Sequence, residues 1–461
     1  MKKVRKLICL LLAILLIVAV AACTSQPADT PAADTPAPAD DQDAQEEEPA
    51  PAPAADDEPV TVVIGFASGY LDEARGGVQF AEDIFAKMAD DHPNIRPEVM
   101  VMVGADTTAG WDVYFTQILT MAAAGNAPDV FHVAIEGIQS LVRMGVAEPI
   151  DFYLDANPEF RDEALADIHP NLQAPFVIEG RTYTLVNDWN NVVVHINTNM
   201  LDEAGLDIPP DDWDLDMFMQ YAEALTRVVD GEQQFGFSIP SYYFAYSNWL
   251  KNNNTNFLSP DMTEVTFDSP ESIEIMQLMQ DLVHVYGYAP APGGQWDVIL
   301  LVEGTVAMLC AGRWPVATYV GADFTDVVIK PIPFIQSQNV TFGSGGSVVF
   351  SGSDVKYEAA AVVAWQAGNI YQTEMYGVSN IPSRRSVADA IIALPGVPMN
   401  PELFFGTANI ASPVQSPPAY NDLEGIFNRF MSAVLANEMS AEDACTQAAA
   451  EMRDALQRNP T

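Results

Sequence analysis

Basic residues are scarce in this chain: 20 Lys and Arg stand against 63 Asp and Glu, a formal net charge of −43. A surface of that sign repels nucleic-acid phosphates and anionic headgroups, so nucleic acid is excluded as a partner. Cysteine is scarcer still, with four in 461 residues, and no disulfide framework organises the fold. Cys9 and Cys23 lie in the N-terminal segment; Cys310 and Cys445 read as small buried hydrophobes, and whether they pair is open. The five histidines (His92, His132, His169, His195, His284) show no His-Glu-x-x-His spacing, and a Gly-x-Ser-x-Gly elbow and a Walker loop are both missing. Gly343-Ser344-Gly345-Gly346-Ser347 is glycine-rich but no Lys follows it, which argues against a phosphate cradle. Paired acids are common by chance in so acidic a chain, so a glycosidase dyad does not stand out. The expectation is a protein that is not an enzyme and that carries no catalytic residues, no metal and no cofactor.

A long apolar run occurs only at the start. Lys2, Lys3, Arg5 and Lys6 precede an apolar and small stretch from Leu7 to Ala22, which ends at Cys23. It falls short of the roughly 20 residues a membrane-spanning helix needs and reads as an export signal over 1–22. Val20-Ala21-Ala22-Cys23 resembles the bacterial lipobox, which implies acylation of Cys23, a lipid anchor in the cell membrane and an extracytoplasmic location. From Thr24 to Pro59 there are eight prolines, eleven acids and no Lys or Arg. Such a segment cannot build a core, and 23–59 is expected to be a disordered acidic tether reaching roughly 3 Å per residue at full extension.

With 49% hydrophobic residues the body can bury large cores, and its length exceeds one ordinary domain. Thr61-Val62-Val63-Ile64, a helical stretch from Val78 to Ala89, and Pro97 to Val103 give β-α-β alternation. It continues through a helix near Tyr114 to Ala124, a strand from Asp129 to Val133 and a helix over Ile138 to Arg143. Thr182 to Val186 and Val192 to Ile196 read as strands flanking a polar aromatic turn, Asn187 to Asn191. Helices are expected at 214–228, 272–285, 355–367 and 423–453, and strands at 305–309, 327–333 and 348–351. The fold class is α/β in two lobes.

Several spaced segments resemble the extracellular solute-binding proteins of family 1, the carbohydrate-binding subunits of ABC importers similar to the maltose-binding protein. They are Ala124-Gly125-Asn126-Ala127-Pro128-Asp129-Val130, Met144-Gly145-Val146-Ala147-Glu148-Pro149-Ile150, and His195-Ile196-Asn197-Thr198-Asn199-Met200 with Ala204-Gly205-Leu206. Pro209-Pro210-Asp211-Asp212-Trp213 follows, then Glu303-Gly304-Thr305-Val306-Ala307-Met308 with Gly312-Arg313-Trp314. Where the family usually has Thr before the Trp of the Pro-Pro segment, this chain has Asp212, which serves the same helix-capping role. The resemblance implies a periplasmic-binding-protein-like fold with 60–188 and 305–353 in lobe 1, and 189–304 and 354–461 in lobe 2. The chain would cross between the lobes near 186–191, 302–304 and 352–356, closing by hinge bending on a solute in the cleft.

A sugar cleft needs carboxylates and amides beside exposed aromatic rings. Trp314 is placed by the resemblance where an aromatic stacks on ligand, and Glu136 where a family member holds a ligand-binding acid. Asp129 either caps the strand start or contacts ligand. Tyr70 follows the first strand at the edge where parallel strands open onto a cleft. Trp189, with Asn187 and Asp188, either lines the cleft or packs a hinge. Of Tyr242 and Tyr243, in the segment Ser241 to Phe244, at least one is expected at the ligand. Gly345 and Gly346, beside Ser347, either let a ligand approach the backbone or form a plain turn. Trp111, Trp249, Trp296 and Tyr420 are weaker candidates, and Trp213 and Trp365 read as core. The function so implied is a monomeric, lipid-anchored receptor that captures a carbohydrate, an oligosaccharide, and delivers it to an ABC permease. The alternatives are a polyamine or peptide solute and a surface glycoside-processing enzyme.

Overall fold

The computed structural model describes residues 58–71, 76–104, 111–291, 297–393, 396, 398–407 and 411–459. The signal segment, the expected lipidation site Cys23, nearly all of the tether and Trp296 lie outside the described residues.

The chain opens with β1 (Val60–Ala67), α1 (Gly77–Ala86) and β2 (Ile95–Met102), then α2 (Trp111–Ala123), β3 (Val130–Ala134), α3 (Ile135–Arg143) and β4 (Ala147–Glu148). β1 pairs in parallel with β2 on one side and β3 on the other. β-branched residues fill β1 because a parallel strand is buried on both faces. Val62, Ile64 and Phe66 pack on one side with Ile84 and Phe85 of α1, whereas Phe131 and Val133 of β3 belong to the core on the other side.

β5 (Asp188–Asn191) and β6 (Val193–Asn197) follow, separated only by Val192. β5 lies within the large sheet and β6 at the centre of a small one. Asn187 to Asn191, expected as a turn, is therefore largely a strand of the large sheet. Its poor β-formers are tolerated because distant groups satisfy them: Asn191 Nδ2 donates to the Phe404 carbonyl at 3.0 Å and to Thr407 Oγ1 at 2.6 Å.

Next come α4 (Leu215–Leu225), α5 (Tyr243–Asn252) and α6 (Pro270–His284), then β7 (Met308–Ala311) and β8 (Val327–Lys330), which flank β6 in an antiparallel three-stranded sheet. Asp214, rather than Asp212, caps α4, accepting from Met217 N at 2.8 Å. Trp213 is buried beside it and donates to the Pro331 carbonyl at 2.8 Å. β9 (Val340–Phe350) returns to the large sheet, followed by α7 (Lys356–Gln366), α8 (Asn369–Tyr376), β10 (Ile381–Pro382), β11 (Ala411–Pro413), α9 (Tyr420–Leu435) and α10 (Ala441–Arg458). The expected single helix over 423–453 is broken between α9 and α10, where Asn437 takes φ 58° and Ser440 Oγ caps α10 by accepting from Asp443 N at 3.1 Å.

The large sheet has eight strands in the order β10-β5-β9-β3-β1-β2, with β4 and β11 also on β9. These pairings move two boundaries of the expected lobes. β7 and β8, assigned with 305–353 to lobe 1, pair with β6 in the small sheet. α7 and α8, assigned with 354–461 to lobe 2, pack on the large sheet; α7 is buried from Glu358 onward, and its alanines let its backbone lie close to β1, β3 and β9. By sheet membership the chain leaves the large sheet at Val192 and returns to it between β8 and β9, and after β11 it leaves again, α9 and α10 packing on α6.

β9 carries Gly345 at the point where its partner changes, opposite both Asp188 of β5 and Ala134 of β3. A Cβ there would lie 2.7 Å from Asp188 Oδ1 and 2.8 Å from His132 Nε2. Gly345→Ala is expected to destabilise the fold by about 1–3 kcal/mol, the usual cost of overpacking. Urea unfolding of the two proteins checks it: an unchanged midpoint would mean that β9 shifts freely.

Candidate functional site

The carboxyl ends of β1 and β3 place one set of side chains. The chain leaves β1 into Ser68–Tyr70, and the half-buried Tyr70 ring lies 5.0 Å from the His132 ring, with its hydroxyl 3.3 Å from His132 Nε2. Trp111, at the start of α2, stacks on His132 at 5.6 Å and meets Tyr70 edge-on at 6.2 Å. Asn380, just before β10, donates from Nδ2 to Tyr70 Oη at 3.1 Å and also to Asp188 Oδ2. β3 runs directly into α3, whose first turn carries Glu136.

The small sheet supplies the other set. β7 ends at Ala311, and Gly312-Arg313-Trp314 folds the indole back over the glycine: a Cβ on Gly312 would sit 2.2 Å from the Trp314 ring, so only glycine fits. Trp314 lies 6.4 Å from Tyr242 and 6.4 Å from Phe244. Tyr242 is held by its hydroxyl, which donates to the Cys310 carbonyl at 3.2 Å. The two sets meet at Gly343 of β9, where a Cβ would lie 3.5 Å from Glu136 Oε1 and 3.6 Å from Phe244 Cζ. A carboxylate from the large-sheet side and an aromatic wall from the small-sheet side thus face the same side of one bare backbone position.

Glu136 Oε2 is buried without a hydrogen-bond partner. Burial, with Glu424 and Asp188 as like-charged neighbours, pushes its carboxyl up to about 8. His132 is driven the opposite way, down to about 3, by burial, and is neutral at physiological pH. Two cavities lie elsewhere, one of about 260 Å³ near Trp365 and Arg384 and one of about 560 Å³ near Met262 and Arg453. Neither includes any of the residues above, and aromatic and carboxylate chemistry makes the Gly343 junction the stronger candidate. Among the described residues no group of three or more His, Cys, Asp or Glu could hold a metal, and no helix is long and apolar enough to cross a membrane.

Of the residues singled out in the sequence, Glu136 lies at Gly343, Tyr242 and Trp314 belong to the aromatic wall that reaches it through Phe244, and Tyr70 and Asp188 are tied to each other through Asn380. Others do not line the junction. Asp129 is occupied within the protein, accepting from Val63 N at 2.9 Å and Ser353 Oγ at 2.6 Å. Trp189 is buried in β5 against Phe342, so it packs rather than lines. Tyr243 is fully buried and stacks on Phe257 at 3.8 Å. Gly345 and Gly346 make room for protein groups: Asp188 and His132 crowd the first, and a Cβ on the second would lie 2.6 Å from Thr184 Oγ1. Trp249, Tyr420 and Trp365 are buried, and Cys310 and Cys445 are both free thiols. Phe244, His132, Asn380 and Arg313 join the two sets without being candidates by sequence. Phe244 lies in the aromatic segment already noted; Asn380 carries no local signal, because its partner Asp188 is 192 positions away.

The elevated Glu136 carboxyl sets a pH dependence. The folded state holds this proton up to about 8, against an ordinary 4.5 for an unstructured glutamate. The favourable contribution is present below 4.5 and is lost as pH rises toward 8. Glu136→Gln should therefore gain stability relative to the parent between pH 5 and pH 8. Unfolding curves at several pH values check this, and parallel profiles would show that Glu136 titrates normally.

The sequence model of the bacterial extracellular solute-binding proteins matches residues 103–405. A binding protein of Brucella abortus is 25% identical over 179 residues, 38% of this chain and 40% of that protein. The arabinooligosaccharide-binding protein of Halalkalibacterium halodurans is 23% identical over 291 residues, 60% of this chain and 62% of that protein. The chain thus spans about two fifths and three fifths of the length of these curated relatives. Among solved structures, an ABC substrate-binding protein from Listeria monocytogenes in complex with cycloalternan superposes with a TM-score of 0.77 at 21% identity, covering 87% of this chain and 100% of that one. That likeness shows the two-lobed α/β fold. The protein belongs to the bacterial extracellular solute-binding protein family.

Proposed function

We propose that the chain captures a carbohydrate, an oligosaccharide, between its two lobes and delivers it to the permease of an ABC importer, without making or breaking a bond. The observation that carries this reading is the meeting of Glu136 with the Phe244–Trp314–Tyr242 wall at Gly343. Sugar rings present C–H faces that stack on aromatics and hydroxyls that donate to carboxylates. Support comes from the Listeria protein, which is in complex with cycloalternan, and from the Halalkalibacterium protein, named for arabinooligosaccharides. One second reading is a cationic solute such as a polyamine, whose charge would draw the proton off the otherwise unpartnered Glu136 carboxyl. In either case the protein acts as a monomer outside the cytoplasm, acylated at Cys23 and joined to its anchor by the acidic tether.

Calorimetric titration with maltooligosaccharides, arabinooligosaccharides, cycloalternan, polyamines and short peptides tests the solute class. One of the oligosaccharides should bind, and Trp314→Ala should weaken it by about 2 kcal/mol, roughly thirtyfold in Kd. Binding of a polyamine alone would keep the fold and overturn the sugar, and loss of the sugar over time would point to an enzyme. For the anchor, Cys23→Ala should abolish incorporation of labelled palmitate by cells expressing the chain; labelling that persists would refute lipidation at Cys23.

A further inference from the structure

Arg313 is a buried cation that the site chemistry leaves unexplained. It is 4% exposed. Its guanidinium turns away from the aromatic wall formed by its neighbour Trp314 and reaches the large-sheet side. Nη1 donates to the carbonyls of Tyr376, Ser379 and Asn380, each at 2.8 Å, and Nη2 to the Gly377 carbonyl at 2.8 Å. These oxygens are the carbonyls left over at the C-terminal end of α8 and in the turn after it, where the helix dipole is negative. Only the planar fork of arginine can span four such acceptors; a lysine ammonium is a single point. The backbone of Arg313 is fixed as well, its N–H donating to Asn190 Oδ1 at 3.0 Å.

The clamped turn is itself part of the large-sheet half of the site. Asn380 holds Tyr70 Oη at 3.1 Å and the Asp188 carboxylate, and the Tyr376 hydroxyl donates to Asn187 Oδ1 at 3.0 Å. One side chain therefore links the aromatic wall, through the peptide of Trp314, to the polar wall, through Asn380. We infer that Arg313 is a positioning residue for solute capture, coupling the placement of Trp314 to that of Tyr70 and Asp188 across the two lobes. In its affinity consequences, this rests on the junction at Gly343 being the solute site.

The test uses the full chain with Arg313→Lys, which keeps the charge and loses the fork, and Asn380→Ser, which leaves the backbone carbonyl for Arg313 but removes the amide that reaches Tyr70 and Asp188. Without any solute, hydrogen–deuterium exchange of Arg313→Lys should speed up in peptides covering 376–380 and also in those covering 66–71 and 186–189, which lie beyond the four carbonyls that its guanidinium holds. Acceleration confined to 376–380 would overturn the coupling, whatever the solute is. With cycloalternan and an arabinooligosaccharide as probes, each variant should weaken binding by about tenfold, the scale of one charged hydrogen bond. The double variant should lose little more than either alone; losses that multiply would mean the two residues act independently. If the parent binds neither probe, the proposed function fails in its sugar, while the exchange measurement still decides the role of Arg313.

Discussion

Strand β9 is the constraint on which the rest depends. Its first half pairs with β5 and β11 and its second with β3 and β4, so a single eleven-residue segment sets the register of four others. β5 leads within one residue into β6, the centre of the small sheet, so the register of β9 also fixes where the second sheet starts. The glycines of β9 follow from this crowding. Side chains of Asp188, His132 and Thr184 occupy the space where Cβ atoms would be, and Gly343 keeps open the one place where Glu136 and Phe244 converge. One continuous core then runs from the large sheet into the small one, while a separate cluster fills the other face of the large sheet between β1, α1, α7 and α8.

Charge is used unevenly across this frame. Acids outnumber basic residues threefold, yet two of the few arginines are almost entirely buried. Arg384 bridges Glu163 at 2.6 Å and donates from Nε to the Ala367 carbonyl at 2.7 Å, at the end of α7. Arg313 is satisfied at the end of α8 by carbonyls of the turn. Helix C-termini present partial negative charge without a full countercharge, and a guanidinium with several donors neutralises it where a carboxylate would add desolvation cost. At the junction, by contrast, burial, aided by the neighbouring acids Glu424 and Asp188, lets Glu136 retain its proton.

The broad organisation was legible because it rests on local pattern. The β-branched run of β1 and the helical periodicity of α4 and α6 each follow from contacts within a few residues, and the ordered family segments fixed the fold. Within the candidate site, Trp314 stood out through its place in those segments, Glu136 through its position just after a strand where a family member holds an acid, and Tyr70 through its place just past the end of β1. What failed was decided by partners far along the chain. Asp188 to Asn191 reads as a turn by composition, but Asn380, Phe404 and Thr407 make it a strand. Tyr242 and Tyr243 are equivalent by composition; one turns to Trp314 and the other to Phe257 because successive residues at a helix start point in different directions.

By itself, the sequence determined the acidic balance, the α/β class and the membership of the solute-binding family, since charge, hydropathy and spaced motifs are properties of the linear chain. Only the tertiary structure decided which sheet receives β7 and β8, that α7 and α8 cover the large sheet, and which aromatic rings face Glu136. Short apolar strands have no preferred partner in their own sequence. Pairing is chosen by the register of β9 and β6 and by the fit of side chains that meet only after the chain has crossed between the sheets.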